Sequence, residues 1–235
     1  MFYCGVVPAN QAWQLCAIQE IRGPEPPVKL QATFYEPGAA GQVVIQVRTL
    51  GAAVIAVAAP MTRVRSGRQL RASDEALARS GVMPQPYLEN AALLYEGLSD
   101  LGLFRPDGHD EEGQVEDGAF RDAAVFETNV EGVFCALQER RMPAKRHPLG
   151  IHRRIQELVD DHVIDEGGDF WHRRVEEIEA AGTALCAHRY AVGHARWVGE
   201  PGEGVIVLPG SGPLREFSTD GVLPPVARVP LPGDA

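Results

Sequence analysis

Ala184-Leu185-Cys186-Ala187-His188-Arg189-Tyr190, running on through Gly199-Glu200-Pro201 to Glu203-Gly204-Val205-Ile206-Val207-Leu208-Pro209, is the best-patterned stretch of the chain. It reads as the end of a long helix, a turn and a short apolar strand. Upstream, Val175, Ile178, Ala181, Leu185 and Tyr190 fall near one face, so the helix is expected over roughly 171–192.

The flanking sequence supplies a sheet for that helix. Phe2–Val7 and Trp13–Ile21 are apolar runs separated by Pro8-Ala9-Asn10-Gln11, which predicts a hairpin. Val28–Tyr35 follows the break at Gly23–Pro27 as a third strand, and Gln42–Leu50 suits a helix. Val54–Ala59, a small-apolar run ending at Pro60, suits a strand buried on both faces. Ser73 stands ahead of Asp74 and Glu75 as a helix N-cap, with Gly81 as the stop. Helices are expected at Pro86–Leu101, Gly132–Arg141 and Ile151–Val163, and a strand at Ala123–Thr128. Asp107–Asp117 reads as an acidic loop, and Gly210–Ala235 as a Pro/Gly-rich extension. The expectation is one mixed α/β domain over residues 1–209 and a tail over 210–235.

Composition narrows the function classes. With 235 residues at 45% hydrophobic, the chain can bury one sizeable core. No run of about 18 apolar residues is present, so no membrane partner is expected. The four cysteines lack metal spacing and sit in apolar surroundings; with no signal peptide at the N-terminus, they point to free thiols in a cytoplasmic protein. A net charge of -10 argues against nucleic acid, although a local basic patch can coexist with it. Neither GxGxxG nor GxxxxGK[ST] occurs.

The C-terminal stretch resembles the signature of the domain-of-unknown-function 429 family, predicted nucleases with a ribonuclease-H-like fold. Arg71-Ala72-Ser73-Asp74, Phe126-Glu127-Thr128, Pro143-x-Lys145, Gly150 and Arg153-Arg154 are similar to further family segments and fall in the right order. The resemblance implies a five-stranded mixed sheet, three antiparallel strands then two parallel ones, with helices on both faces. It also implies carboxylates gathering Mg²⁺ or Mn²⁺ for two-metal phosphodiester hydrolysis.

This chain departs from that pattern at two positions. Val7 stands where the first strand would carry Asp, and Ala58 where the second would. Glu127 remains on a strand and Glu179 on the last helix, the two candidate catalytic carboxylates. The expectation is a hydrolytically degenerate family member, with no metal or a crippled one, that retains binding of nucleic acid or another polyanion. Lys145, Arg146, Arg153, Arg154 and Arg71 are the candidate phosphate contacts. Two alternatives are an active nuclease with its metal site rebuilt from Glu127, Glu176 and Glu179, and a protein-interaction module that binds no nucleic acid.

Overall fold

Alternation along the strands divides the apolar side chains into two sets, one for each face of a central sheet. In β1 (Phe2–Ala9), Cys4 and Val6 point one way and Tyr3 and Val7 the other. In β4 (Ala52–Val57) Ile55 and Val57 share the first direction, and Val54 and Ala56 the second. The computed structural model describes residues 1–22, 28–103, 125–200 and 203–219. The break at Gly23–Pro27, the loop Asp107–Asp117, the start of the strand expected from Ala123, and residues 220–235 lie outside the described residues.

The remaining strands are β2 (Ala12–Ile21), β3 (Lys29–Phe34), β5 (Val125–Glu127), β6 (Val163–Asp165), β7 (Ala195–Glu200) and β8 (Gly204–Pro209). The main sheet runs β5-β4-β1-β2-β3-β6. β1 pairs antiparallel with β2 and β2 with β3, while β1–β4, β4–β5 and β3–β6 are parallel, so β2 alone runs against the others. The sheet therefore has six strands rather than five. The extra strand is Val163-Ile164-Asp165, paired with β3 through Leu30↔Val163. Three residues are too few to show alternation, and the sequence pattern had placed Val163 at a helix end.

The helices are α1 (Ala40–Leu50), α2 (Ala72–Arg79), α3 (Glu89–Leu98), α4 (Val130–Gln138), α5 (Pro148–Asp160) and α6 (Val175–Ala191). One core, with Val43 and Val47 of α1 and Leu94 and Leu98 of α3, covers the first face. The other core holds Phe134 of α4, Leu158 of α5, and Ile178, Ala181 and Leu185 of α6 on the second. The stretch expected to be a turn after the long helix is instead a strand: β7 pairs with β8 from Ala195↔Pro209 to Glu200↔Gly204. Past β8, Phe217 is buried and Ser218 forms a bridge with Arg140.

Ser73 is not the cap of α2. Arg71 holds that position and Ser73 lies inside the helix, fully buried. The capping oxygen comes from across the fold, where the Glu203 carboxylate accepts the Ala72 N–H at 3.1 Å. A carboxylate at a helix N-terminus meets orphan amides and the positive end of the dipole.

Candidate functional site

β1, β4 and β5 are parallel neighbours, so their carboxyl ends open on one side of the sheet, where ligand crevices of α/β proteins form. A cavity of about 480 Å³ lies there. Pro8 lies at the end of β1 just before Ala9, Ala58 directly follows β4, and Asn129 lies two residues past β5; all three line it. α6 contributes Glu179, α4 contributes Glu131, and the loop before α5 contributes Lys145. Met83, Pro84, Pro86 and Leu88 form an apolar wall.

Local chemistry builds each wall. The Asn129 Oδ1 accepts the Gly132 N–H at 2.8 Å and so starts α4, while its Nδ2 donates to the Met83 carbonyl at 3.1 Å. One side chain thus fixes both the helix carrying Glu131 and the segment opposite. The loop carrying Lys145 folds over the first turn of α5. A Cβ on Gly150 would come 2.1 Å from the Ala144 carbonyl oxygen, so only glycine admits that approach. Arg154 secures the loop by donating from Nη1 to the Pro143 and Gly150 carbonyls at 3.1 and 3.0 Å.

The carboxylates in this crevice sit in poor solvent. Glu179 is 4% exposed, and its Oε2 accepts from Lys145 Nζ at 3.0 Å. Burial raises its pKa, with Lys145 and then Arg154 pulling it back. Glu131 is raised for the same first reason, opposed by Arg154 and by a hydrogen bond from the Met83 backbone. Arg154 itself is lowered by burial, against Glu179 and Glu131.

A stability consequence follows for Glu179. Its folded-state pKa lies above the unfolded one, so between the two values the folded protein holds a proton that the unfolded chain has released. Stability is then greatest at low pH within this window and falls as pH rises through the folded pKa. Glu179→Gln should flatten the decline of melting temperature between the ordinary carboxylate range and neutrality. Melting curves of the variant and the native chain across that range check it; parallel profiles would refute it.

The other sequence-derived carboxylates are placed elsewhere. In β5, Phe126 points into the core under α6, so alternation sends Glu127 to the opposite face. There its carboxylate takes two hydrogen bonds from Arg71, at 2.6 and 2.9 Å, and one from the Met61 N–H at 2.7 Å. Glu176 is on α6 and reaches toward Arg146, at 3.9 Å. The structure therefore does not gather Glu127, Glu176 and Glu179, and no group of three or more His, Cys, Asp or Glu among the described residues is placed to hold a metal ion. Val7 and Ala58 are fully buried and face α6, on the side of Glu179. Their methyl groups offer no oxygen donor, and divalent Mg²⁺ and Mn²⁺ need several. This donor set does not fit a two-metal centre.

The basic residues are mostly spent within the chain. Arg71 is enclosed between Asp74 and Glu127. Arg63 pairs with Glu89, and Arg65 and Arg68 with Glu203. Lys145 and Arg146 pair with Glu179 and Glu176. Arg154 lines the crevice, whereas Arg153 lines a separate hollow between α4 and α5 with Gln138 and Gln156. Glu131 and the Met83–Leu88 wall were missed at the sequence level. The available signal for Glu131 was an acid in the first turn of a helix entered directly from a strand.

No protein-family model matches this chain, and no curated protein matches it. Among solved structures it is similar to a Thermus thermophilus RuvC structure, at 11% identity and a TM-score of 0.44, covering 82% of this chain and 95% of that one. A likeness of that size leaves the site to be read from its own residues.

Proposed function

We propose that the chain is a ribonuclease-H-like domain, related to the domain-of-unknown-function 429 family, that acts by binding and has lost metal-dependent phosphodiester hydrolysis. The strand order β3-β2-β1-β4-β5 with β2 reversed supports the fold reading, as does the long α6 lying over β1. One observation carries the loss: the crevice that receives Glu179 is floored at the strand ends by Ala58, with the buried Val7 beside it. The family resemblance implies a carboxylate at each position, and this chain has alkyl there. Removing the ligands of an ion removes the several kcal/mol of charge stabilisation that it supplies to the transition state.

Glu131 and Glu179 balance Lys145 and Arg154 across the crevice, and an acidic partner stands beside most of the candidate phosphate contacts. Arg146, 79% exposed at its side chain, is the one with most freedom to reach a phosphate.

The test is a cleavage assay with Mg²⁺ and Mn²⁺ on single-stranded, duplex and branched nucleic acid, with binding followed on the same substrates. The expected result is no turnover above background and weak binding. Robust cleavage abolished by Glu179→Ala would overturn the reading.

A further inference from the structure

The mismatch between the crevice and a metal centre raises the question of what balances the carboxylates that survive there. We propose that Lys145 is the cation that guards Glu179 in this crevice, which Arg154 also lines: its ammonium occupies the carboxylate oxygen that a divalent ion would otherwise take, and it keeps the native domain indifferent to divalent metals. This goes beyond the loss of hydrolysis, since a site can fail in catalysis and still bind an ion.

The geometry carries the proposal. Lys145 Nζ lies 3.0 Å from Glu179 Oε2, a direct charge-assisted contact. The Glu179 side chain is 5% exposed, so its charge cannot be balanced by bulk water alone. Lys145 is 51% exposed at its side chain and reaches inward from a loop, so it can be changed without opening the core. That loop is not free to drift. Arg154 holds the Pro143 carbonyl, the Ala144 carbonyl accepts the His147 N–H at 2.9 Å, and the His147 Nδ1 accepts the Leu149 N–H at 3.2 Å to start α5. Glu131 lines the same crevice from α4, as does Arg154 from α5. Two carboxylates with retained waters suffice for one weakly held Mg²⁺ or Mn²⁺. A fixed ammonium beside them opposes that ion by direct repulsion and by occupying the carboxylate oxygen.

The role assigned to Lys145 differs from a phosphate contact, and the two are separable. A phosphate-binding lysine, when neutralised, would weaken nucleic-acid binding and leave metal response unchanged. A resident cation would do the reverse.

The experiment is thermal melting of the full chain in EDTA, Mg²⁺ and Mn²⁺ for the native protein, Lys145→Met, Lys145→Arg and Lys145→Met with Glu179→Gln. Methionine keeps the apolar stem and removes the charge. The native chain and Lys145→Arg should melt at the same temperature in all three media. Lys145→Met should gain roughly 5–10 °C when the ion stands about a hundredfold above its dissociation constant. The added Glu179→Gln should abolish that gain. A native chain that shifts as much as Lys145→Met would overturn the proposal, because the lysine would then exclude nothing. A Lys145→Met protein that folds and ignores both ions would overturn it as well. Neither outcome depends on cleavage, so failure here is distinct from failure of the proposed loss of hydrolysis.

Discussion

Gly5→Ala is expected to destabilise the domain by at least about 3 kcal/mol, a loss of roughly 6–12 °C in melting temperature for a chain of this size. Gly5 sits in the middle of β1, between Cys4 and Val6, and its α-carbon faces α6. A Cβ built there would stand 2.2 Å from both the Ala180 carbonyl oxygen and the Ala184 backbone nitrogen. Those are backbone atoms in a helix buried on nearly every side, so no side-chain rotation relieves the clash. The helix would have to lift from the strand. Its surface toward β1 is built for close approach at Ala180, Thr183 and Ala184, and another side is blocked because a Cβ on Gly182 would strike the Phe134 ring at 2.4 Å. Overpacking costs more where neighbours cannot yield. Gly41→Ala is the control. Gly41 lies on the exposed side of α1 with nothing within 4 Å of a new Cβ, and the change should stabilise by about 0.5–1 kcal/mol through helix propensity. Chemical denaturation of both variants decides the matter; a Gly5→Ala protein as stable as the native chain would mean that α6 does not seat this tightly.

The same helix shows what the sequence could and could not convey. Its apolar spacing, the N-terminal hairpin and the buried run Val54–Ala59 were readable because long or uniform apolar patterns report burial directly. β6 and β7 were not. β6 is three residues long, and β7 carries Arg196, Trp197 and Gly199, all half-buried, with no clean alternation. The side assignments of the carboxylates depended on one more step. Phe126 packs under α6, and period-two alternation then puts Glu127 on the other face, away from Glu179. The residue types and their order in the chain suggested a shared site; the pleat separates them. Charge runs mislead in a related way. Arg63, Arg65, Arg68 and Arg71 look like a solvated basic strip, yet their acids arrive from Glu89, Glu203, Asp74 and Glu127, three of them distant in the chain. Nothing local in a sequence announces a counter-ion more than fifty positions away, as Glu127 is from Arg71.

Arg71 carries the second large effect, and it tests that last point. Arg71→Ala should cost about 3–5 kcal/mol, because it leaves buried carboxylates without their cation. The guanidinium is 2% exposed and makes two forks. Nε and Nη2 donate to Asp74 at 2.8 and 3.1 Å; Nη1 and Nη2 donate to Glu127 at 2.9 and 2.6 Å. Burial lifts the Glu127 carboxyl above the ordinary range and Arg71 draws it back, while burial of Arg71 is outweighed by its bonds to Glu127 and Asp74, so that its own pKa ends raised. Remove the arginine and the opposing influence on Glu127 goes, leaving the desolvation. Arg71→Lys should recover little, since a single ammonium cannot present two planar forks. Glu127 spans the end of β5 and the Met61 amide, and Asp74 sits in the first turn of α2, so the arginine ties a strand end to a helix start across the sheet edge. A phosphate contact would behave otherwise: Arg71→Ala would then leave melting unchanged and weaken binding to nucleic acid. Measuring both quantities on the same variant separates the two, and unchanged stability would refute the structural role.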